Sequence, residues 1–333
     1  MKKILYSISD NGLGHLTRSI GIMREFHENI EFIIRNSNSN FLEKSLPNTK
    51  IISGQTDQGL ILNEDGISVN NSKSRVALEN WYDHFNDNLE NEERIISKIQ
   101  PDIIISDISP VPLAVSKKLS IPSIAISNFK WLDILSNVSQ MNMITDAYEN
   151  TSLCIQLPLS TPMSIFKNKR KVGYISKNPT KNRNDIRKEL GIGNKEFLIF
   201  VNLSSHLDIS FSYKENIRII STGAQNNLKK TKIIDPWIEG QNLVAASDYV
   251  ICKCGYGMIS ECLTNGIPFK TFYDDTHPEQ ASIVNELSSM GIHSFEKNPT
   301  DKKIELKLND IEKQNKIENE NSKIKELILE FFK

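Results

Sequence analysis

Short apolar segments alternate with longer amphipathic segments along the chain, and this alternation predicts an α/β protein. In the first half, strands are predicted at residues 3–8, 31–34, 50–52, 103–107 and 123–127. Between them, the spacing of apolar residues predicts helices at 15–27, 75–99 and 111–118. The strand at 103–107 is apolar on both faces, which is typical of a parallel sheet covered by helices. The pattern therefore predicts a doubly wound sheet.

The alternation stops near residues 158–183 and then begins again. This interruption contains three prolines and a basic run at 167–171, which we interpret as an interdomain connection. Further strands are predicted at 197–201, 217–220, 232–234, 249–252 and 269–272. We expect an N-terminal domain at 1–165, a C-terminal domain at 166–302 and a charged amphipathic helix at 303–333. That helix could cross back onto the N-terminal domain or form a dimerisation arm.

Composition narrows the class of protein. The 333 residues include 40 Lys and Arg against 41 Asp and Glu, a net charge of −1 that argues against a protein coating nucleic acid. No apolar run reaches the length of a membrane span, and the first ten residues turn polar too soon for a signal peptide. A cytoplasmic protein is expected, with peripheral attachment to the inner face of the membrane left open. Cys252, Cys254 and Cys262 lack a His at zinc-finger spacing, so we expect buried thiols and no metal site.

A Gly-x-Gly turn follows the first strand at Gly12 and Gly14 and is followed by His15. It is not the dinucleotide-binding fingerprint, which needs a third glycine. A His at the carboxyl end of a strand can act as a general base, because its ordinary pKa of ~6.5 lies near neutrality. Asp107 ends another strand of the same predicted sheet and could orient the His15 ring. A packing role for His15 and a helix-capping role for Asp107 are the alternatives.

A second candidate site follows the predicted strand at 249–252. Gly255 and Gly257 flank Tyr256 at the start of a helix, where backbone N–H groups and the helix dipole favour phosphate oxygens. Glu261 lies further along this helix and could accept hydrogen bonds from ribose hydroxyls. A polar cluster at 274–280 follows the next strand and could reach a sugar. A solvated loop is the alternative for that cluster.

Together these motifs resemble those of the inverting GT-B glycosyltransferases that use nucleotide sugars, such as the peptidoglycan N-acetylglucosaminyltransferase and the UDP-glucuronosyl and plant glucosyltransferases. The first loop of that group is Gly-x-Gly-His-x-x-Arg, which matches residues 12–18. Its donor site contains Gly-x-x-x-x-x-Glu, which matches residues 255–261. The resemblance implies two Rossmann-like doubly wound domains that face a central cleft.

The resemblance also implies roles for individual residues. His15 would be the catalytic base and Asp107 its partner. The implied donor-binding residues are Gly14, Gly255, Tyr256, Gly257, Glu261, His277, Glu279 and Gln280. Contacts to the nucleotide base or phosphates would come from Arg18, Ser204 and Trp237. The donor would be a nucleotide sugar, with UDP favoured, and no further cofactor is expected.

Two absent motifs bear on mechanism. The sequence contains no Asp-x-Asp motif, and Lys253 stands where retaining GT-B enzymes have a Glu eight residues before Glu261. We therefore expect metal-independent transfer with inversion to an acceptor hydroxyl. Two alternatives remain: a nucleotide-sugar hydrolase, in which His15 activates water, and a sugar-nucleotide-binding protein without catalysis. The acceptor is not identified by these motifs.

Overall fold

The computed structural model describes residues 1–26, 29–64, 66, 68–135, 140–203, 208–211, 216–222, 231–233, 239–297, 303–306, 311 and 313–333. The chain forms two compact units. The first unit comprises residues 1–61, 70–175 and 320–333, and the second comprises 62–69 and 176–319.

The elements alternate between strand and helix through most of the chain. The strands are β1 Lys2–Ile8, β2 Ile30–Arg35, β3 Lys50–Ile52, β4 Ile103–Asp107, β5 Ser123–Ser127, β6 Leu153–Gln156, β7 Lys169–Lys171, β8 Phe197–Asn202, β9 Asp208–Phe211, β10 Ile217–Ser221, β11 Thr231–Ile233, β12 Tyr249–Lys253, β13 Phe269–Tyr273, β14 Phe295–Lys297 and β15 Lys303–Leu306. The helices are α1 Leu13–Met23, α2 Ser39–Ser45, α3 Asn71–Asp83, α4 Phe85–Ile99, α5 Pro110–Leu119, α6 Met141–Glu149, α7 Arg183–Leu190, α8 Gly240–Ala246, α9 Tyr256–Asn265, α10 Pro278–Ser289 and α11 Asn321–Leu329. Two 3₁₀ turns lie at Trp131–Asp133 and Glu330–Phe332.

The first unit is built on a seven-stranded parallel sheet in the order β3-β2-β1-β4-β5-β6-β7. All five residues of β4 are buried, which confirms the prediction of a strand covered on both faces. The strand order reverses between β1 and β4. In open α/β sheets, ligands bind outside the carboxyl ends of the strands at such a reversal.

The second unit has a six-stranded parallel sheet in the order β11-β10-β8-β12-β13-β14. Its order reverses between β8 and β12, so the loop after β12 leaves the sheet at the point where a ligand would bind. A separate parallel pair is formed by β9 and β15.

Three expectations from the sequence need correction. The predicted helix at 75–99 is two helices, α3 and α4, which meet at His84. The predicted helix at 303–333 is wrong at 303–306, where Lys-Ile-Glu-Leu alternates with a period of two and pairs with β9 as β15. The basic run at 167–171 is not simply a connection, because it contains the edge strand β7, where charged side chains suit an exposed edge.

The last helix lies within the first unit. Ile324 and Ile328 of α11 are buried, and Asn321 Nδ2 donates to the Gly21 carbonyl of α1 at 3.2 Å. The C-terminal segment 320–333 therefore covers part of the N-terminal sheet's helical layer.

Within the described ranges, each helix is too short or too polar to cross a bilayer.

A buried ion pair connects β2 to the helical layer of the first unit. Arg35 ends β2, and its Nε and Nη2 donate to the Glu92 carboxylate of α4 at 3.0 and 2.7 Å. Nη1 donates to the carbonyls of Ile52 and Ser53 at 3.0 and 2.9 Å. Both charged side chains are 2% exposed and have lost their hydration. Each charge is therefore stabilised chiefly by the other.

Replacing Glu92 with Ala is expected to leave the Arg35 guanidinium buried without its counter-charge. The free energy of unfolding should fall by about 3–5 kcal/mol, the usual effect of breaking a buried pair from one side. The neighbouring Glu93→Ala is the matched control, since Glu93 pairs with a Lys118 side chain that is 63% exposed. That variant should lose no more than about 1 kcal/mol. Equal losses for the two variants in urea unfolding would contradict the assignment.

Candidate functional site

The first candidate site lies at the reversal of the strand order in the first sheet. The register of β1 and β4 places Ile8 opposite Asp107, so the loop after β1 leaves the sheet beside the Asp107 carboxyl group. Gly12 precedes α1 with φ 81° and ψ 178°, a conformation that only glycine adopts readily. This turn starts α1 at Leu13 and places His15 in its first turn.

His15 and Asp107 are in direct contact. His15 Nδ1 lies 2.8 Å from Asp107 Oδ1, and the two residues are 4% and 0% exposed. The contact expected from the two strand ends is therefore present. Asp107 does not cap α5, whose N-cap residue is Ser109. The catalytic roles of both residues stay predictions.

Arg18 joins the same cluster from one turn further along α1. Its Nε donates to Asp107 Oδ2 at 2.6 Å, and Nη2 donates to Asp107 Oδ1. Nη1 donates to Asn128 Oδ1 at 2.6 Å, and Nη2 also donates to Ser127 Oγ at 3.1 Å. The predicted contact of Arg18 with a nucleotide base or phosphate needs correction, because the guanidinium is buried and already directed at these partners.

The electrostatics of this cluster keep Asp107 ionised. Burial alone would raise the pKa of Asp107, but the adjacent Arg18 and His15 lower it to about 2, so the carboxylate is ionised and can only accept. Arg18 Nη2 also lies 2.9 Å from His15 Nδ1, so this ring nitrogen faces both the carboxylate and the guanidinium. In the tautomer with a proton on Nδ1, the ring donates to Asp107 and Nε2 keeps its lone pair.

Further polar residues beside His15 were not singled out in the sequence. Asp57 lies in the loop after β3 and accepts from the Asp10 N–H at 3.0 Å and from Trp131 Nε1 at 2.9 Å. Asn128, one of the Arg18 partners, immediately follows β5. The sequence could have indicated Asn128, because it directly follows a buried strand and polar residues at such positions lie together at one edge of a parallel sheet.

A second candidate site surrounds the start of α9 in the second unit. Gly255 is the N-cap residue and makes no side-chain cap, and the first N–H groups of a helix have no partner within the helix. Gly14, at the start of α1, and Gly255 have open space where a Cβ would stand. Tyr256 and Gly257 are buried in the first turn of α9.

Glu261 is a buried carboxyl group on α9. It is 4% exposed, and burial raises its pKa to about 7, with Lys177 opposing and Glu239 adding to the rise. Lys177 is itself 3% exposed along its side chain and pairs with Glu239 at 3.3 Å. Among the described residues, the Glu261 carboxylate has no hydrogen-bond donor. It is therefore placed to accept from an external group, and Lys177 is a neighbouring cation that the sequence did not single out.

The loop between β13 and α10 carries the other predicted donor contacts. His277 is the N-cap residue of α10, burial lowers its pKa, and its Nδ1 is buried without a partner in the described structure. Glu279 is half-buried in the first turn of α10. Gln280 is 2% exposed, and its Oε1 accepts from the Asp274 N–H at 2.9 Å. The side-chain amide oxygen of Gln280 therefore stabilises the loop between β13 and α10. The donor contacts of these residues stay predictions.

Two predicted contacts, Ser204 and Trp237, lie outside the described residues.

Cys252, Cys254 and Cys262 are buried free thiols whose pKa values are raised by burial. The residues that the structure describes contain no group of three or more His, Cys, Asp and Glu side chains arranged to hold a metal ion. Whether the reaction is metal-independent stays a prediction.

Comparison with known proteins identifies the fold. Residues 2–166 match the model of glycosyl transferase family 1. A UDP-glucosyltransferase from Polygonum tinctorium is similar with a TM-score of 0.59 and 10% identity, covering 91% of this chain and 86% of that chain. UGT89C1 of Arabidopsis thaliana, solved with UDP-L-rhamnose, has a TM-score of 0.55 and 12% identity, covering 98% of this chain and 89% of that chain.

A curated relative is similar in sequence as well. L-arabinokinase of Arabidopsis thaliana is 24% identical over 322 residues, which cover 85% of this chain and 29% of that protein. The chain thus spans about 29% of the length of this relative. The fold is GT-B, and the resemblance to GT-B glycosyltransferases is confirmed.

The ionised Asp107 should contribute to stability in a specific pH window. Its folded pKa of about 2 lies below the ordinary value of 3.8, so its contribution is present above pH ~4 and is lost as the pH falls toward 2. Over this window the free energy of unfolding should fall by about 2 kcal/mol from this group in the wild-type chain, and this fall should be absent in Asp107→Asn. Urea unfolding at several pH values checks this, with Asp146→Asn as the control because Asp146 is 52% exposed. A difference in free energy of unfolding between wild type and Asp107→Asn that stays constant across this pH window would contradict the lowered pKa of Asp107.

Proposed function

We propose that the chain is an inverting glycosyltransferase that moves a sugar from a UDP-sugar to an acceptor hydroxyl, with His15 as the general base. The observation that carries the proposal is the buried contact of His15 Nδ1 with the ionised Asp107 at 2.8 Å. A carboxylate that holds one ring nitrogen orients the imidazole and leaves the other nitrogen, Nε2, for an acceptor hydroxyl. An imidazole held in this way can accept the hydroxyl proton.

The reaction balances with His15 as the only proton acceptor. The acceptor oxygen forms a bond to the anomeric carbon from the face opposite the diphosphate. The bond from that carbon to the diphosphate oxygen breaks, and its electron pair leaves with UDP. The hydroxyl proton passes to His15 Nε2, and Asp107 keeps the ring oriented while it carries the proton. Attack from the opposite face inverts the configuration at the anomeric carbon.

The donor is proposed to bind at the start of α9. The helix N-terminus at Gly255 provides backbone N–H groups and a positive dipole end for the diphosphate, which would stabilise the leaving group without an obligatory metal ion. The Glu261 carboxylate would accept hydrogen bonds from the ribose hydroxyls. His277, Glu279 and Gln280 would lie toward the sugar. The Arabidopsis neighbour solved with UDP-L-rhamnose supports a UDP-linked donor.

Removing the proposed base should separate chemistry from donor binding. His15→Ala is expected to lower the rate of UDP release in the presence of acceptor by ~10²-fold or more, the usual size of a general-base effect. The Kd of UDP, measured by calorimetry, should change less than about twofold, because His15 is not a proposed donor contact. A panel of UDP-sugars with pooled hydroxyl acceptors, in buffer containing EDTA, provides the rate assay.

His84→Ala is the matched control, since His84 lies between α3 and α4 away from the cluster. Undiminished turnover in His15→Ala would rule out the base assignment. Rapid release of free sugar from the donor alone would identify a hydrolase. UDP binding without turnover on any acceptor would support a binding protein.

Glu261 should make UDP binding depend on pH. When ionised, its carboxylate accepts hydrogen bonds at both oxygens, whereas a proton turns one of them into a donor, and burial raises its pKa to about 7. The affinity for UDP should therefore fall as the pH is lowered from 8 to 6. In Glu261→Gln the Kd should rise about tenfold at pH 8, a loss of about 1.4 kcal/mol, and the pH dependence from this group should disappear.

Glu296→Gln is the control for this experiment, because Glu296 is 58% exposed on β14 and pairs with Lys270. It should bind UDP as the wild type does. An unchanged Kd in Glu261→Gln would remove the ribose contact from the proposal without affecting His15.

A further inference from the structure

Asp57 joins two loops that border His15. Its carboxyl group is 0% exposed. Oδ1 accepts from the backbone N–H of Asp10 at 3.0 Å, and Oδ2 accepts from Trp131 Nε1 at 2.9 Å. Asp10 belongs to the loop after β1, and Trp131 belongs to the segment after β5. One carboxyl group thus connects the loops that follow three strands of the first sheet.

Each partner of Asp57 is connected to His15 through neighbouring residues. Asp10 precedes Gly12, the turn that starts α1 and carries His15. On the other side, the Trp131 ring packs edge-on against Phe129 at 5.6 Å between centroids. The Phe129 ring in turn packs edge-on against His15 at 5.6 Å. A shift of either loop would therefore move the imidazole or one of its walls.

We propose that Asp57 is a positioning residue for His15, which it holds by tying the loop after β1 to the aromatic pair Phe129 and Trp131. The inference rests on the proposed role of His15 as base. Asp57 is fully buried and does not touch the substrate, so it acts through the residues that it binds. Its effect is on the orientation of the imidazole and on how that orientation depends on pH.

A carboxylate is the side chain that this position requires. Both neighbours are donors, and each needs an acceptor oxygen. An amide of the same shape has one oxygen and one NH₂ group. Whichever way the side chain of an Asn at position 57 is turned, its NH₂ group faces one of the two donors, Asp10 or Trp131. Asp57→Asn therefore breaks one of the two contacts with almost no change in volume.

The contacts of Asp57 with Asp10 and Trp131, which we call the tether, are also sensitive to protonation. Burial raises the pKa of Asp57 to about 6, although hydrogen bonds from Ser9, Asp10 and Trp131 and the nearby His15 oppose the rise. A proton on the carboxyl group turns one acceptor into a donor that faces another N–H. The tether should therefore be intact above pH 6 and weaken as the pH falls through that value.

Other ionisable groups surround Asp57 and must be separated from it. Tyr82 and Tyr148 are buried phenols whose pKa values are raised well above the ordinary value by burial, so they stay neutral in this range. The pKa of Asp10 is raised by burial, and the charge of a protonated His15 ring would act on Asp57. Variants at Asp10 and His15 are therefore needed as controls.

The test uses nuclear magnetic resonance on the ¹⁵N-labelled full chain, with no substrate. The three tryptophans give three indole N–H signals, and Trp131→Phe identifies the one from Trp131. In the wild type this signal should shift with a midpoint near pH 6. The shift should be absent in Asp57→Asn and should remain in Asp10→Asn and His15→Gln. The His15 ring signals, assigned with His15→Gln, should move in Asp57→Asn.

Asp102→Asn is the matched control. Asp102 also accepts a backbone N–H, from Lys3 at 2.8 Å, but it lies where β1 begins rather than where it ends. This variant should leave the Trp131 titration and the His15 signals unchanged. If Asp57→Asn does not fold, as judged by circular dichroism, Trp131→Phe provides the second test, because it removes one donor of the tether and should also move the His15 signals.

Activity provides an independent readout. With a UDP-sugar that is turned over, Asp57→Asn should lower kcat by about 10-fold to 100-fold and leave KM for the donor unchanged. Between pH 8 and pH 5 the rate should fall more steeply in the wild type than in Asp57→Asn, because protonation of Asp57 weakens its contacts only in the wild type.

The inference is overturned if the Trp131 signal does not titrate near pH 6 or if the His15 signals are the same in Asp57→Asn and wild type. An undiminished rate in His15→Ala, with the titration and the His15 response intact, would instead leave the tether standing and remove the base role. The two failures are therefore distinguishable.

Discussion

The buried ion pair between Arg18 and Asp107 is the interaction on which the candidate site of the first unit depends. The Asp107 carboxylate is 0% exposed, and an unpaired charge there would be strongly destabilising. His15 and Arg18 are three residues apart on α1, so both side chains leave the same face of the helix and converge on one carboxylate. The spacing His-x-x-Arg thus has a direct physical meaning: His15 places a ring nitrogen against Asp107, and Arg18 keeps that carboxylate ionised.

The two units present different electrostatic arrangements. In the first, Arg18 compensates the charge of Asp107, and the ionised carboxylate contacts the His15 ring. In the second, the Glu261 carboxylate is buried with Lys177 as the nearby cation, and burial raises its pKa to about 7. Such a group gains most from a ligand that donates hydrogen bonds, which is the property proposed for the ribose.

The success of sequence-based prediction differed between kinds of contact. The meeting of His15 and Asp107 was predicted because both follow apolar strands, and parallel strands end at one edge of the sheet. Arg18 was assigned to the nucleotide because a local motif does not show which neighbour its side chain reaches. Asp57 and Trp131 were missed because they lie in loops without a periodic pattern, 74 residues apart. The β15 strand was taken as helix because its partner, β9, lies far away in sequence.

The sequence by itself determined the alternation of strands and helices, the presence of two sheets and the strand ends where polar residues gather. These follow from the period of apolar residues, which is a local property. The tertiary structure decided which polar groups meet, which of them remain ionised and which are buried. Those outcomes depend on the order of strands in each sheet and on the loss of water around each group. A carboxyl group such as Asp57 therefore acquires its two partners and its raised pKa only when three loops come together.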